Sequence, residues 1–336
     1  NGFSMSNWKN ERVLVLGAAG FCGAHLCETL ANEGAKIIAL DTQLPPDSYL
    51  VSSGTLAKIH FVSGDILDLP ALRLLLERFP VQTVFHLAAQ PIVSISNVLP
   101  LETAQINILG TYHVLEAIRL CAKPPKLVFA SSGAVYGATN AAQAIPETAP
   151  QLAASNIYAP TKAAADSAVR CYAQIYGIRA ATCRWMNTYG PGDTNFSRVI
   201  PATFRRASEG KPGLIAQTDG TNVLELLHVR DMIAAYLCVA QNLERDDISG
   251  EAFNFGGGAP LVLKNVVQSS TAAWNRATGD DVPTTPEISG PRVESAKFLD
   301  ISRAQRLLGW SPRLGLDEGL EETARWYKAH FSANFS

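Results

Sequence analysis

Short apolar runs alternate with helically spaced apolar positions through the first half of the chain. Val13–Leu16, Lys36–Leu40, His60–Val62, Thr83–Leu87 and Lys126–Ala130 are flanked by turn residues and read as buried parallel strands. Between them, segments such as Gly23–Gly34 and Ile108–Cys121 place apolar residues at helical spacing. Strands alternating with helices predict right-handed βαβ units and an α/β fold with a doubly wound parallel sheet. Ala180–Arg184 adds a sixth strand. After Tyr189 the rhythm changes: Gly190-Pro191-Gly192-Asp193 is a loop, and shorter elements follow. The expected division is a main domain over residues 5–189 and a smaller C-terminal lobe over 190–336, which covers a ligand and returns one or two segments to the sheet. The tail Leu316–Phe331 has helical periodicity, with Asp317 as its candidate cap. Asn1–Ser4 precede Met5, look like an appended remnant, and are left out of the fold reasoning.

Composition narrows the function. At 336 residues, with 47% apolar and 17% charged side chains, the chain can bury a core without metal or disulfide support. A net charge of −2 leaves no electrostatic footprint for nucleic acid or an anionic membrane, so local groups must hold any ligand phosphate. The six cysteines form no CxxC pair, and no metal-ligand spacing is present. With no signal peptide evident, this favours a reducing, cytoplasmic setting. The early apolar run Val13–Ala19 is too short to span a bilayer.

The chemistry begins at Gly17-Ala18-Ala19-Gly20-Phe21-Cys22-Gly23, which follows a strand and opens a helix. Glycines there allow a tight turn and close backbone approach, and the helix N-terminus can receive a pyrophosphate, as in a Rossmann fold. The next strand ends in Asp41, whose carboxylate suits ribose hydroxyls and repels a 2′-phosphate. No basic residue follows in Thr42-Gln43-Leu44, so NAD is expected over NADP. Asp65, in Gly64-Asp65-Ile66, sits where an adenine contact is expected. Further on, Tyr158-Ala159-Pro160-Thr161-Lys162 puts a phenol and an ammonium on one helix face. The lysine's charge is expected to lower the phenol's pKa so that it can take a hydroxyl proton. Ser131-Ser132 ends a strand nearby. His86, His228, Cys22 and Trp185 read as packing residues, and Glu147 as a loop residue.

The order GxxGxxG, Asp41, Asp65, His86-Leu87-Ala88-Ala89, Asn107, Ser132, YxxxK resembles the extended short-chain dehydrogenase/reductase, or NAD-dependent epimerase/dehydratase, family over nearly the whole chain. The resemblance implies a catalytic triad of Ser132, Tyr158 and Lys162. It implies an NAD site drawing on Gly17, Gly20, Phe21, Cys22, Gly23, Asp41, Asp65, Ile66, Leu87, Ala88, Ala89, Asn107, Tyr158 and Lys162. Substrate contacts would come from Gln90, Ser132, Asn187, Arg198, Val199 and Arg292, with Arg205 a weaker candidate. The substrate would be a nucleotide sugar oxidised at C4 to a 4-keto intermediate. The assembly would be a homodimer through the Tyr158 helix and the Ile108–Cys121 helix, with the alanines at 163–168 suiting close packing.

Ala88-Ala89-Gln90-Pro91-Ile92-Val93, Asp193–Pro201, Asp219-Gly220-Thr221 and Leu308-Gly309-Trp310-Ser311-Pro312 resemble CDP-glucose 4,6-dehydratases in particular. Dehydratases, however, follow the catalytic hydroxyl residue with an acidic pair or Asp-Lys. Here Gly133-Ala134 follows Ser132, as in sugar 4-epimerases. Leu224-Glu225 stands where relatives often have Arg-Asp, and the Arg and Tyr usual near Ser94 and Asn97 are missing. Epimerisation is therefore the leading expectation. The alternatives are a CDP-hexose 4,6-dehydratase with a displaced acid/base pair, a sugar dehydrogenase or reductase with net NADH turnover, and a non-catalytic NAD sensor.

Overall fold

The computed structural model describes residues 8–137, 143–293 and 295–334; Asn1–Ser4, Met5 and the start of the main domain lie outside them. Strands β1 (Arg12–Leu16), β2 (Lys36–Asp41), β3 (His60–Ser63), β4 (Thr83–His86), β5 (Lys126–Ala130), β6 (Ala180–Trp185) and β7 (Ala252–Phe255) form one parallel sheet, in the order β7-β6-β5-β4-β1-β2-β3. The longer helices are α1 (Phe21–Asn32), α2 (Leu69–Arg78), α3 (Gly110–Arg119), α4 (Tyr158–Tyr176), α5 (Val199–Ser208), α6 (Val229–Asn242), α7 (Leu263–Thr278) and α8 (Leu316–Asn334).

Alternation within the strands explains why they read as continuous apolar runs. Val13, Val15, Ile37, Ala39, Phe85 and Val128 pack with side chains of α1 and α6 on one face. Leu14, Leu16, Ile38, Leu40, Val84 and Phe129 pack with α2, α3 and α4 on the other. A parallel sheet covered on both faces needs apolar side chains at every position. The strand order turns outward on either side of β1 and β4, and in such sheets ligands bind beyond the carboxyl ends of the strands at that point. Gly17, Leu87 and Ser131 all follow those ends.

β7 and α6 come from beyond Tyr189 and complete the main body, with Phe253 and Phe255 entirely buried. α5, α7 and α8 enclose a separate core around Phe204, Trp274, Leu320, Tyr327 and Phe331. Tyr327 of α8 donates its hydroxyl to the Asp193 carbonyl, pinning the 190–195 loop to this lobe.

Two local expectations are corrected. The Ile108–Cys121 helix begins earlier, in a π-helical turn over Gln105–Leu109 that runs into α3. Asp317 lies inside the first turn of α8 rather than capping it, where its charge complements the helix dipole. No helix among the described residues is long and apolar enough to cross a membrane.

Candidate active site

The turn between β1 and α1 is a cradle shaped by absent side chains. Gly17 has φ +82, and a Cβ there would stand 2.6 Å from the Ala88 nitrogen. A Cβ on Gly23 would stand 2.0 Å from the Gly17 carbonyl oxygen. Gly20 caps α1 without a side-chain bond, and no acid occupies the helix's first turn. The positive end of α1, at Phe21, Cys22 and Gly23, is thus left to an anion. Burial pushes the Cys22 thiol up to about 12, so it packs as a neutral group.

Asp41 lies across the same turn. Its carboxylate accepts from the Ala19 N–H at 2.9 Å and the Thr42 N–H at 2.8 Å, bonds that act against the upward pull of burial on its pKa. Asp65 is exposed and accepts from the Leu67 N–H, while Ile66 is buried where a Cβ on Gly110 would meet it at 2.5 Å. A cradle with no room for a side chain at Gly17 or Gly23, an open helix end and a fixed carboxylate beside it suit a dinucleotide. NADP is expected to bind at least about 100-fold more weakly than NAD, equivalent to about 2.8 kcal/mol. Asp41→Asn should narrow that gap; equal affinities of the parent for both, by fluorescence titration, would contradict this account of Asp41.

Tyr158 opens α4, and Ser132 caps the short turn Gly133–Tyr136 by accepting from the Ala134 N–H at 3.1 Å. Burial pushes the Tyr158 phenol above its ordinary range, while the Ser132 hydroxyl and the Arg198 charge act the other way. Arg198 is a positive charge acting on the phenol. The Lys162 side-chain nitrogen lies 4.4 Å from the Phe129 ring centre. Burial pulls Lys162 down to about 7, and the Asp166 carboxylate opposes this.

Asn107 is a clamp. Its amide accepts from the Gln90 N–H at 2.8 Å and donates to the Gln90 carbonyl and to Thr161 Oγ1 at 2.9 Å. It thereby joins the loop after β4, which includes Leu87, Ala88 and Ala89, to the helix turn carrying Tyr158. The π-helical turn re-aims Asn107, a recurrent use of such turns at functional sites. His86 is fully buried and pulled down to about 3 by burial and by Lys162, so it is neutral. Its Nε2 meets Thr111 Oγ1, and its Nδ1 has no partner among the described residues.

The candidate substrate residues do not all converge. Arg198 pairs with the buried Asp193 at 2.9 Å and is electrostatically close to both Cys22 and Tyr158. Val199 follows it at the start of α5. Gln90 instead folds its side chain onto Ile92 and Thr103, and the Asn187 amide is given to the Glu225 carbonyl at 3.1 Å. Arg292 is exposed and acts on the charge of Asp219, and Arg205 lies over the Phe196 ring. Glu147 holds the Asn254 N–H, His228 caps α6, and Trp185 packs on Tyr236 and Phe255.

The sequence reading missed Met186 and noted Glu225 only as part of a departure from relatives. A Cβ on Gly133 would stand 2.2 Å from the Met186 sulfur, so the thioether fills the space beside Gly133. Glu225 is buried and pushed up to about 7; its carboxyl accepts from the Leu299 N–H and ties down the 295–299 segment. The missing side chain at Gly133 was the available sequence signal for Met186.

A family model described as the NAD dependent epimerase/dehydratase family matches residues 13–256. The chain is 30% identical over 331 residues to a trifunctional UDP-glucose 4,6-dehydratase/UDP-4-keto-6-deoxy-D-glucose 3,5-epimerase/UDP-4-keto-L-rhamnose-reductase of Arabidopsis thaliana, a match covering 96% of this chain and 48% of that protein. It spans about half of that relative's length. It is 29% identical over 338 residues to a CDP-glucose 4,6-dehydratase of Salmonella typhimurium, covering 96% of this chain and 92% of that one. Among solved structures, the UDP-glucose 4-epimerase of Thermotoga maritima superposes with a TM-score of 0.81 at 28% identity, covering 95% of this chain and 99% of that one.

Proposed function

The chain belongs to the NAD-dependent epimerase/dehydratase family, and on that premise we propose that it is a nucleotide-sugar 4-epimerase. The observation that carries this reading is the packing of Met186 on Gly133. Elimination of water across C5 and C6 needs an acid and a base beside the sugar. Gly133 carries no side chain, the Met186 thioether occupies the space beside it, and Ala134 cannot carry a proton.

When bound, NAD supplies a reversible hydride acceptor. Gly17, Gly20 and Gly23 would admit its pyrophosphate to the amides of α1, Asp41 its adenosine ribose, and Lys162 its nicotinamide ribose. Ser132 would hydrogen-bond the sugar's C4 oxygen while Tyr158, as phenolate, takes that hydroxyl's proton. Once the keto sugar has turned, Tyr158 returns the proton to the C4 oxygen on the new face. Arg198, whose charge favours the phenolate, would meet the substrate's diphosphate. The six unpaired cysteines suit a reducing compartment such as the cytoplasm.

The test is mass-resolved chromatography after incubating protein and NAD with CDP-, UDP-, GDP- and dTDP-hexoses. A product of unchanged mass and new retention time is expected; a product lighter by one water would overturn the epimerase reading.

We also propose a homodimer. Tyr112 on α3, Leu109 and Leu120 at its two ends, and Ile175 and Tyr176 on α4 are between 41% and 68% exposed. This apolar surface on adjacent helices suits a self-complementary interface. The alanines contribute less than expected, since Ala165 and Ala168 pack into the protein's own core. Sedimentation should give twice the chain mass, and Tyr112→Glu should give a monomer; a monomeric parent would contradict the proposal.

A further inference from the structure

Beneath the active site runs a buried polar chain that the proposed chemistry does not use. Asp166 lies one helical turn beyond Lys162 on α4 and is completely buried. Its carboxylate accepts from Ser131 Oγ at 2.6 Å, Arg184 Nε at 2.9 Å and Arg184 Nη2 at 2.8 Å. Arg184, also without exposed surface, donates through Nη1 to the Tyr136 hydroxyl at 2.8 Å, and Tyr136 donates to Asn254 Oδ1 at 2.7 Å. Ser131 and Tyr136 flank the segment Ser132-Gly133-Ala134-Val135. The pair therefore grips the catalytic segment at both ends and fastens it to α4, β6 and β7.

We propose that Asp166, locked by Arg184, is a positioning residue of the active site, holding Lys162 as an ammonium and Ser132 in register with Tyr158. The surroundings of Lys162 make the need plain. His86 of β4 is neutral, the Phe129 ring of β5 carries no charge, and Tyr158 on the same helix is a phenol in the resting state. Asp166, one helical turn along α4, is the charge that opposes the pull of burial on Lys162. Around Asp166 stand Ser131, the cations Arg184 and Arg170, and the neutral thiol of Cys183, so the carboxylate stays ionised, its pKa held down. A bidentate arginine fixes the carboxylate's orientation as well as its charge.

The inference rests on Lys162 being the lysine of the proposed site, but its test reads that lysine directly and needs no substrate. Protein labelled with 13C at lysine Cε is titrated by NMR, with the Lys162 signal assigned by its loss in Lys162→Met. In Asp166→Asn the Lys162 midpoint should fall by about one pH unit or more below the parent, the size expected for losing a nearby opposite charge. Because that variant strands Arg184, the double variant Asp166→Asn/Arg184→Gln, which removes the arginine's charge as well, is titrated alongside it. Its midpoint should fall too. An unchanged midpoint in a folded variant would overturn the proposal. So would a fall in the single variant that the double variant restores, since the stranded arginine would then be its cause. If the nucleotide-sugar panel fails while both midpoints fall, the epimerase reading is lost and this inference stands.

Discussion

Tyr158→Phe is expected to lower turnover by about 10²–10⁴-fold, the usual contribution of a positioned proton acceptor, with NAD affinity unchanged. Phenylalanine keeps the ring at the start of α4 and removes only the group facing Ser132 and Arg198. The glycine cradle is built from other segments and is untouched. This split between turnover and binding separates an enzyme from an NAD sensor, which would respond equally to NAD with either residue. A variant that turned over like the parent would remove Tyr158 from the chemistry.

Gly23→Ala is expected to weaken NAD binding by about 100-fold or more, or about 2.8 kcal/mol, and to lower Tm. The new Cβ would stand 2.0 Å from the Gly17 oxygen, and Gly17 cannot retreat, because the Ala88 backbone already fills the space on its other side. Overpacking of this kind costs about 1–3 kcal/mol of stability. Gly20→Ala is the informative control: its Cβ would meet nothing nearer than the Gly17 oxygen at 3.4 Å, with ordinary backbone angles. That variant should keep the parent's Tm, so any loss of NAD affinity reports the cofactor's own close approach. Parental affinity and Tm in Gly23→Ala would show that the turn is not the rigid cradle described.

The first six strands were legible because a sheet buried on both faces writes itself as short apolar runs. β7 was not, since Ala252-Phe253-Asn254-Phe255 is brief and interrupted by an asparagine whose amide serves Tyr136 and Ile145. The site's main residues could be placed from spacing, because glycine loops and a Tyr-Lys pair depend on local geometry. What spacing did not reveal were contacts between distant segments. Met186 meets Gly133 only once β6 lies beside β5, and Arg198 reaches the neighbourhood of Tyr158 only once the small lobe closes over the sheet. Two signals were nonetheless present for the buried network: Asp166 shares a helix face with Lys162, and Arg184 is a lone charge within a strand of otherwise uncharged residues. A charge in such a place needs a partner.

The most direct test of the central claim, a C4 oxidation that is reversed rather than followed by loss of water, is to run the reaction in D2O on whichever nucleotide hexose turns over and to resolve the product by mass. The account predicts a product of the substrate's own mass carrying no solvent deuterium on carbon, because the hydrogen removed from C4 is returned to C4 and Tyr158 moves only the exchangeable hydroxyl proton. A product that has lost water and gained deuterium on carbon would contradict it, and would mean that an acid and a base act at C5 and C6 despite the packing of Met186 against Gly133.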